Sequence, residues 1–193
     1  MKNTRADSAL WKIRLNRSRV SWKFLGSSFG STISSSPGCG GSVGSSETLT
    51  PRMTISSGLV PATLTVFDAT PGNPTEEATL KAFALYQSEG CDGVVCVGGG
   101  SSMDLGKAVA LLAVSGAPLE QFDPLKGGAK NIKGVAPVIA IPTTAGTGSE
   151  VSVGFVIIMN SGQKMTFANP QIIPKVAICD PELTFGLPPG LTA

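Results

Sequence analysis

Histidine is missing from all 193 residues. That excludes a Ser-His or Cys-His nucleophile and any histidine metal site made by this chain. Long apolar runs are missing as well. No window approaches the roughly 18 uncharged apolar residues of a transmembrane helix, and no apolar stretch near the start reads as a secretory signal. The four cysteines, Cys39, Cys91, Cys96 and Cys179, include no CxxC pair, which removes the common redox and zinc motifs. Cys96 and Cys179 lie in strand-like apolar runs, so buried free thiols in a reducing, cytoplasmic setting are expected. Charged residues are sparse at 15%, yet a 41% hydrophobic share suffices to build a core.

A chain of this length suits one domain, or one domain with an appendage. Its net charge of +2 is unevenly spread. Residues 1–58 hold eight basic side chains against two acidic, a net of +6, which leaves −4 for the remainder. The basic part is rich in Ser, Gly and Arg, centred on "SSFGSTISSSPGCGGSVGSS", and shows little periodicity beyond a patch near Trp11 to Phe24. Such a composition buries too little apolar surface to offset ordering entropy, so disorder is expected. Three accounts compete for it: a flexible extension, an organelle transit peptide, and a mis-assigned or out-of-frame gene start. Nucleic-acid binding is a fourth and weaker reading, because basic runs are ordinarily just solvated.

Order is expected from about Val60. "ATLTVFDA" alternates and is β-branched, hence a strand. "PGNPTEEATLKAFALYQSEGCD" turns and then starts a helix capped by Thr75, with Glu76 and Glu77 at its positive end and Gly90 at its stop. Leu80, Phe83, Ala84 and Gln87 form its mostly apolar stripe. "GVVCV" reads as a central parallel strand. Leu105, Ala108, Val109 and Leu112 then keep helical spacing. "APVIAIPTT", "VSVGFVIIM" and "KVAICD" read as further strands. Strands alternating with helices imply βαβ units in a Rossmann-like, doubly wound α/β sheet, with the ligand at the carboxyl ends of the strands.

Two turns occupy that position. Gly98, Gly99 and Gly100 leave a strand and enter a helix whose first N–H groups are unpaired; absent Cβ atoms let an anion approach them. Ser101 and Asp104 have the spacing of a capping box. Two common phosphate patterns fail here. G-x-G-x-x-G needs glycine where Met103 stands, and a Walker A loop meets Ser101 and Ala108 where it requires glycine and a hydroxyl. "IPTTAGTGSE" is the second turn, with hydroxyls at Thr143, Thr144 and Thr147 and close approach allowed at Gly146 and Gly148. By itself it is equally a plain turn or a ligand loop. Beside the glycines it becomes the other wall of a cleft.

"NPTEE", "GGGSSMDLGKA", "PTTAGTGSE" and "DPELTFGLPPGLTA", in that order, resemble the iron-type alcohol dehydrogenase family, which includes glycerol dehydrogenase-like and maleylacetate reductase-like enzymes. The likeness runs from about Val66 to Ala193. It implies an N-terminal dinucleotide-binding domain, here residues 59–193 and truncated, which the family pairs with a helical domain holding a divalent metal, iron or zinc. Such enzymes interconvert small alcohols and aldehydes or ketones with NAD or NADP, and homo-oligomers are possible.

The resemblance puts the dinucleotide's diphosphate on Gly98, Gly99, Gly100, Ser101 and Ser102, with Asn73 near the adenosine end. Thr143, Thr144 and Thr147 would line the cofactor, Lys164 would reach a ribose hydroxyl, and the run from Leu183 to Leu187 would floor the cleft near the nicotinamide. Asp104 and Lys107 rank lower, as a cap and a surface charge. Asp180 and Glu182 belong to a turn rather than to the metal site.

The family's metal-binding aspartate and histidines, which follow "LPPGLTA", have no counterpart here, and its first strand is not recognisable in residues 1–58. A fragment without turnover of its own is therefore expected. The rival reading is a non-catalytic nucleotide- or phosphate-binding module.

Overall fold

The computed structural model describes residues 9–14, 52–57, 60–188 and 190. Its main sheet is built from β1 (Ala9–Arg14), β2 (Arg52–Ser57), β3 (Val60–Phe67), β4 (Gly93–Gly98), β5 (Val138–Pro142) and β8 (Val176–Ala177). Their spatial order is β2-β3-β1-β4-β5-β8. β4, β5 and β8 are parallel, while β1 runs antiparallel to both β3 and β4. β3 thus points the same way as β4. The expected α/β sheet is present, with β4, β5 and β8 parallel and β1 inserted antiparallel between β3 and β4.

Two strands, β1 and β2, lie within residues 1–58, where disorder was expected beyond a patch near Trp11 to Phe24. "ALWKIR" and "RMTISS" are short, and each needs a neighbour to complete its ladder. The reading of disorder for the rest of that segment falls outside the described residues.

Helix α1 (Glu76–Ser88) begins as its sequence dictates. Thr75 accepts from the Ala78 N–H at 3.2 Å through its side chain, and both first-turn acids are in place. Its buried side chains are Glu76, Thr79, Ala82 and Tyr86. The apolar stripe expected at Leu80, Phe83, Ala84 and Gln87 is not the buried face: Leu80 is 37% exposed, and Ala84 and Gln87 are exposed. The helix is turned so that the small Ala82 and the large Tyr86 meet α2 (Gly100–Ser115) and the sheet.

α2 buries apolar side chains on two flanks. One flank joins Val94, Cys96, Val138 and Ala140 of the sheet together with Ala82 and Tyr86. The other packs Ala108, Leu111 and Leu112 against Phe155, Ile157 and Phe167. These last three belong to a separate antiparallel hairpin, β6 (Gly154–Ile158) and β7 (Lys164–Ala168). "VSVGFVIIM" therefore does not extend the main sheet. It doubles back through the positive-φ Gly162 and stacks Phe155 on Phe167, ring centroids 5.0 Å apart. "KVAICD" does join the sheet through β8, but Cys179 lies beyond its end and is exposed, against expectation. Cys96 is fully buried, and burial pushes its thiol up to about 12. No helix among the described residues is long and apolar enough to cross a membrane.

Candidate functional site

Four connecting segments leave the main sheet at one edge, where β3, β4, β5 and β8 all end. β4 and β5 finish level, Gly98 opposite Pro142. Gly98 has φ 143°, a conformation that only glycine adopts readily, and it bends the chain off the strand. Gly99 is the N-cap of α2, and no side chain caps it. The helix therefore starts with bare backbone donors.

The threonine turn lies directly against this start. Thr143 donates its N–H to the Gly98 carbonyl at 2.9 Å. A Cβ added at Gly99 would stand 3.2 Å from Thr144 Oγ1, and one at Gly100 would stand 3.7 Å from Thr147 Cβ. The close approach is tight at Gly99, whereas a Cβ at Gly100 would make an ordinary contact. Beyond the threonines, Gly146 and Gly148 carry positive φ and fold the loop back toward α2.

The segment after β3 reaches the same place. Ser101 Oγ donates to the Gly72 carbonyl at 2.6 Å, which ties the residue before Asn73 to the first turn of α2. Asn73 itself is exposed. Ser101 does not cap the helix, so the capping box with Asp104 is not formed; with Gly99 as N-cap, Ser101 is already the second residue of the helix. Ser102 is fully buried, and its Oγ finds no hydrogen-bond partner among the described residues. An unpaired buried hydroxyl is costly, and one at a helix start is where an anionic ligand would supply the acceptor.

Lys164 opens β7 and is exposed, close enough to Asp104 to favour the charged form of that carboxylate. Leu183 and Leu187 lie past β8, in a turn that Asp180 caps by accepting from the Glu182 N–H at 3.0 Å. That turn's hydrogen bonds, among the described residues, are internal. Asn73, the three glycines, both serines and the three threonines are brought together. Leu183 and Leu187 share the edge without a bond to either turn.

Lys107 and Asp104 were underrated by the sequence reading. Lys107 is 1% exposed, not a surface charge. Its ammonium donates to Ser149 Oγ at 3.4 Å, to Ser152 Oγ and O at 2.9 and 3.2 Å, and to the Gly154 carbonyl at 2.9 Å. Asp104 accepts from Ser149 Oγ at 2.8 Å and from the Val156 N–H at 3.2 Å. Burial lowers the pKa of Lys107, opposed by the charge of Asp104. Burial likewise raises that of Asp104, opposed by its bonds to Ser149 and Val156. One signal could have revealed them. These are the only charges in a 16-residue helix otherwise made of apolar, small and hydroxyl side chains, and of the two Lys107 is the one fully buried.

A family model described as iron-containing alcohol dehydrogenase matches residues 42–181. The chain belongs to the iron-containing alcohol dehydrogenase family. It is 54% identical over 129 residues to a protein from Cupriavidus necator named 4-hydroxybutyrate dehydrogenase, covering 66% of this chain and 34% of that one. Among solved structures, a 1,3-propanediol oxidoreductase superposes with a TM-score of 0.60 at 34% identity, covering 66% and 33% of the two chains. The sulfoacetaldehyde reductase of Bifidobacterium kashiwanohense, solved in complex with NAD+, superposes at 0.57 with 33% identity, over 65% and 33%. The chain spans about a third of the length of these relatives.

The family's name implies a metal, and the residues present do not fit one. The chain has no histidine, and no group of three His, Cys, Asp or Glu among the described residues is placed to hold a metal ion. A dinucleotide is a different matter. A glycine cradle that a Cβ would narrow, an uncapped helix start and an orphaned buried hydroxyl all suit a diphosphate.

Proposed function

We propose that this chain forms the NAD-binding part of an alcohol oxidoreductase, with the diphosphate seated between the glycine turn and the threonine turn. The observation that carries the reading is the contact of those turns at the carboxyl edge of the sheet, joined by the Thr143–Gly98 hydrogen bond. Gly99, Gly100 and Ser101 offer backbone donors to the phosphates, and Ser102 Oγ gains an acceptor it otherwise lacks. Thr144 and Thr147 close the opposite wall. Asn73 flanks the adenosine end, Lys164 a ribose, and Leu183 and Leu187 the nicotinamide end. When bound, the dinucleotide supplies the acceptor for a hydride from the carbon of a small alcohol, or the donor in the reverse direction.

No residue here is assigned to activating the alcohol oxygen, because the chain has no histidine and no metal-ligand set lies among the described residues. The chain accordingly binds dinucleotide and does not turn over alone. The likeness to a protein named 4-hydroxybutyrate dehydrogenase makes a short hydroxy acid the first alcohol to assay. Calorimetric titration of the 193-residue chain with NAD and with NADP tests the binding, and nicotinamide absorbance with alcohol present tests turnover. Saturable heat with NAD and a flat absorbance trace are expected. Absence of binding to either nucleotide overturns the site, and chelator-resistant turnover overturns the claim of inactivity.

A further inference from the structure

Every acceptor that Lys107 finds lies in residues 149–154, and Asp104 binds Ser149 and Val156 of the same stretch. The two charges meet through Ser149 Oγ, which donates to the carboxylate and stands 3.4 Å from the ammonium. Among the described residues neither side chain bonds to the glycine turn. What they hold is the immediate continuation of the threonine turn. Ser149 donates its N–H to Thr147 Oγ1 at 3.5 Å, and Thr147 is the residue that faces Gly100.

A loop with positive-φ glycines at 146 and 148 has many conformations open to it. A buried ammonium removes that freedom. Any displacement of residues 149–154 would strip its acceptors and leave a charge unpaired in an apolar interior, a severe penalty. The helix that carries the glycine turn therefore also dictates where the opposite wall stands.

We infer that Asp104 and Lys107 are positioning residues for dinucleotide binding, fixing the threonine turn across the glycine turn without touching the ligand. This rests on the reading of the two turns as the dinucleotide site. Lys107→Met keeps the length of the side chain and discards its donors. NAD is titrated into the full chain as the unaltered protein, Lys107→Met, Thr147→Ala and the double variant, each with a thermal melt. If Lys107 acts through the turn, Lys107→Met weakens NAD binding about tenfold, on the scale of one lost charged hydrogen bond. Thr147→Ala then weakens it less, and the double variant binds no worse than Lys107→Met alone. Should Lys107→Met fail to fold, Ser152→Ala takes its place and shows the same non-additivity with Thr147→Ala. Unaltered affinity in the folded lysine or serine variant, or losses that multiply, overturns the positioning role alone. An unaltered chain that does not bind NAD overturns the site reading, and the positioning role with it.

Discussion

Thr143 and Gly98, 45 positions apart in the chain, are joined by one backbone hydrogen bond of 2.9 Å. It closes the gap between two turns that leave neighbouring parallel strands, and the proposed diphosphate site is the crevice they share.

Gly99→Ala tests how tightly that crevice is built. The backbone at Gly99 has φ −82°, which alanine adopts freely, so any effect comes from space. The new methyl meets Thr144 Oγ1 at 3.2 Å and displaces it. A cost of about 1 kcal/mol, roughly fivefold in NAD affinity, is expected from such crowding. A melting temperature within a few degrees of the unaltered chain would localise the effect to the site, and an unchanged Kd would show that Thr144 takes no part.

Ser102→Ala separates binding from stability. Its hydroxyl is buried and without a partner among the described residues, so its removal leaves the melting temperature unchanged or higher. If the hydroxyl meets a phosphate oxygen, NAD affinity falls in the same variant by about fivefold, the scale of one net hydrogen bond. Opposite movement of the two readouts is the signature. A parallel loss of stability and affinity would instead make Ser102 an ordinary structural residue.

Tyr86 is the only tyrosine in the chain, so its ionisation can be followed alone by ultraviolet absorbance. Burial against α2 and the sheet pushes its phenol from 10.0 up to about 12, with smaller contributions from the charges of Cys91 and Asp92. The folded chain keeps this proton at pH values where the unfolded chain has released it. Stability is therefore lost as pH rises from about 10 through about 12. A titration midpoint near 10 in the folded protein would mean that α1 does not seat against its neighbours.

The sequence made the strands legible through their β-branched apolar runs, and the two turns through glycines and hydroxyls that no plain connection needs. It did not reveal pairing partners. "VSVGFVIIM" has the composition of a buried strand whether it joins the main sheet or folds back on "KMTFA", and only the packing of Phe155 and Phe167 against α2 settles that. The face of α1 was misjudged because Leu80 is large and apolar, whereas contact with α2 selects the smaller Ala82. Lys107 was misread for a related reason. A lysine is ordinarily solvated, and its four acceptors come from residues more than forty positions away.

Because α2 lies between the sheet and the hairpin, its side chains complete both apolar clusters at once. Neither cluster can persist after the helix has melted, since each would be left with an open wall of hydrocarbon facing water. Calorimetry is thus expected to show α2, the strands β4 and β5 beneath it and the β6–β7 hairpin lost together in a single transition.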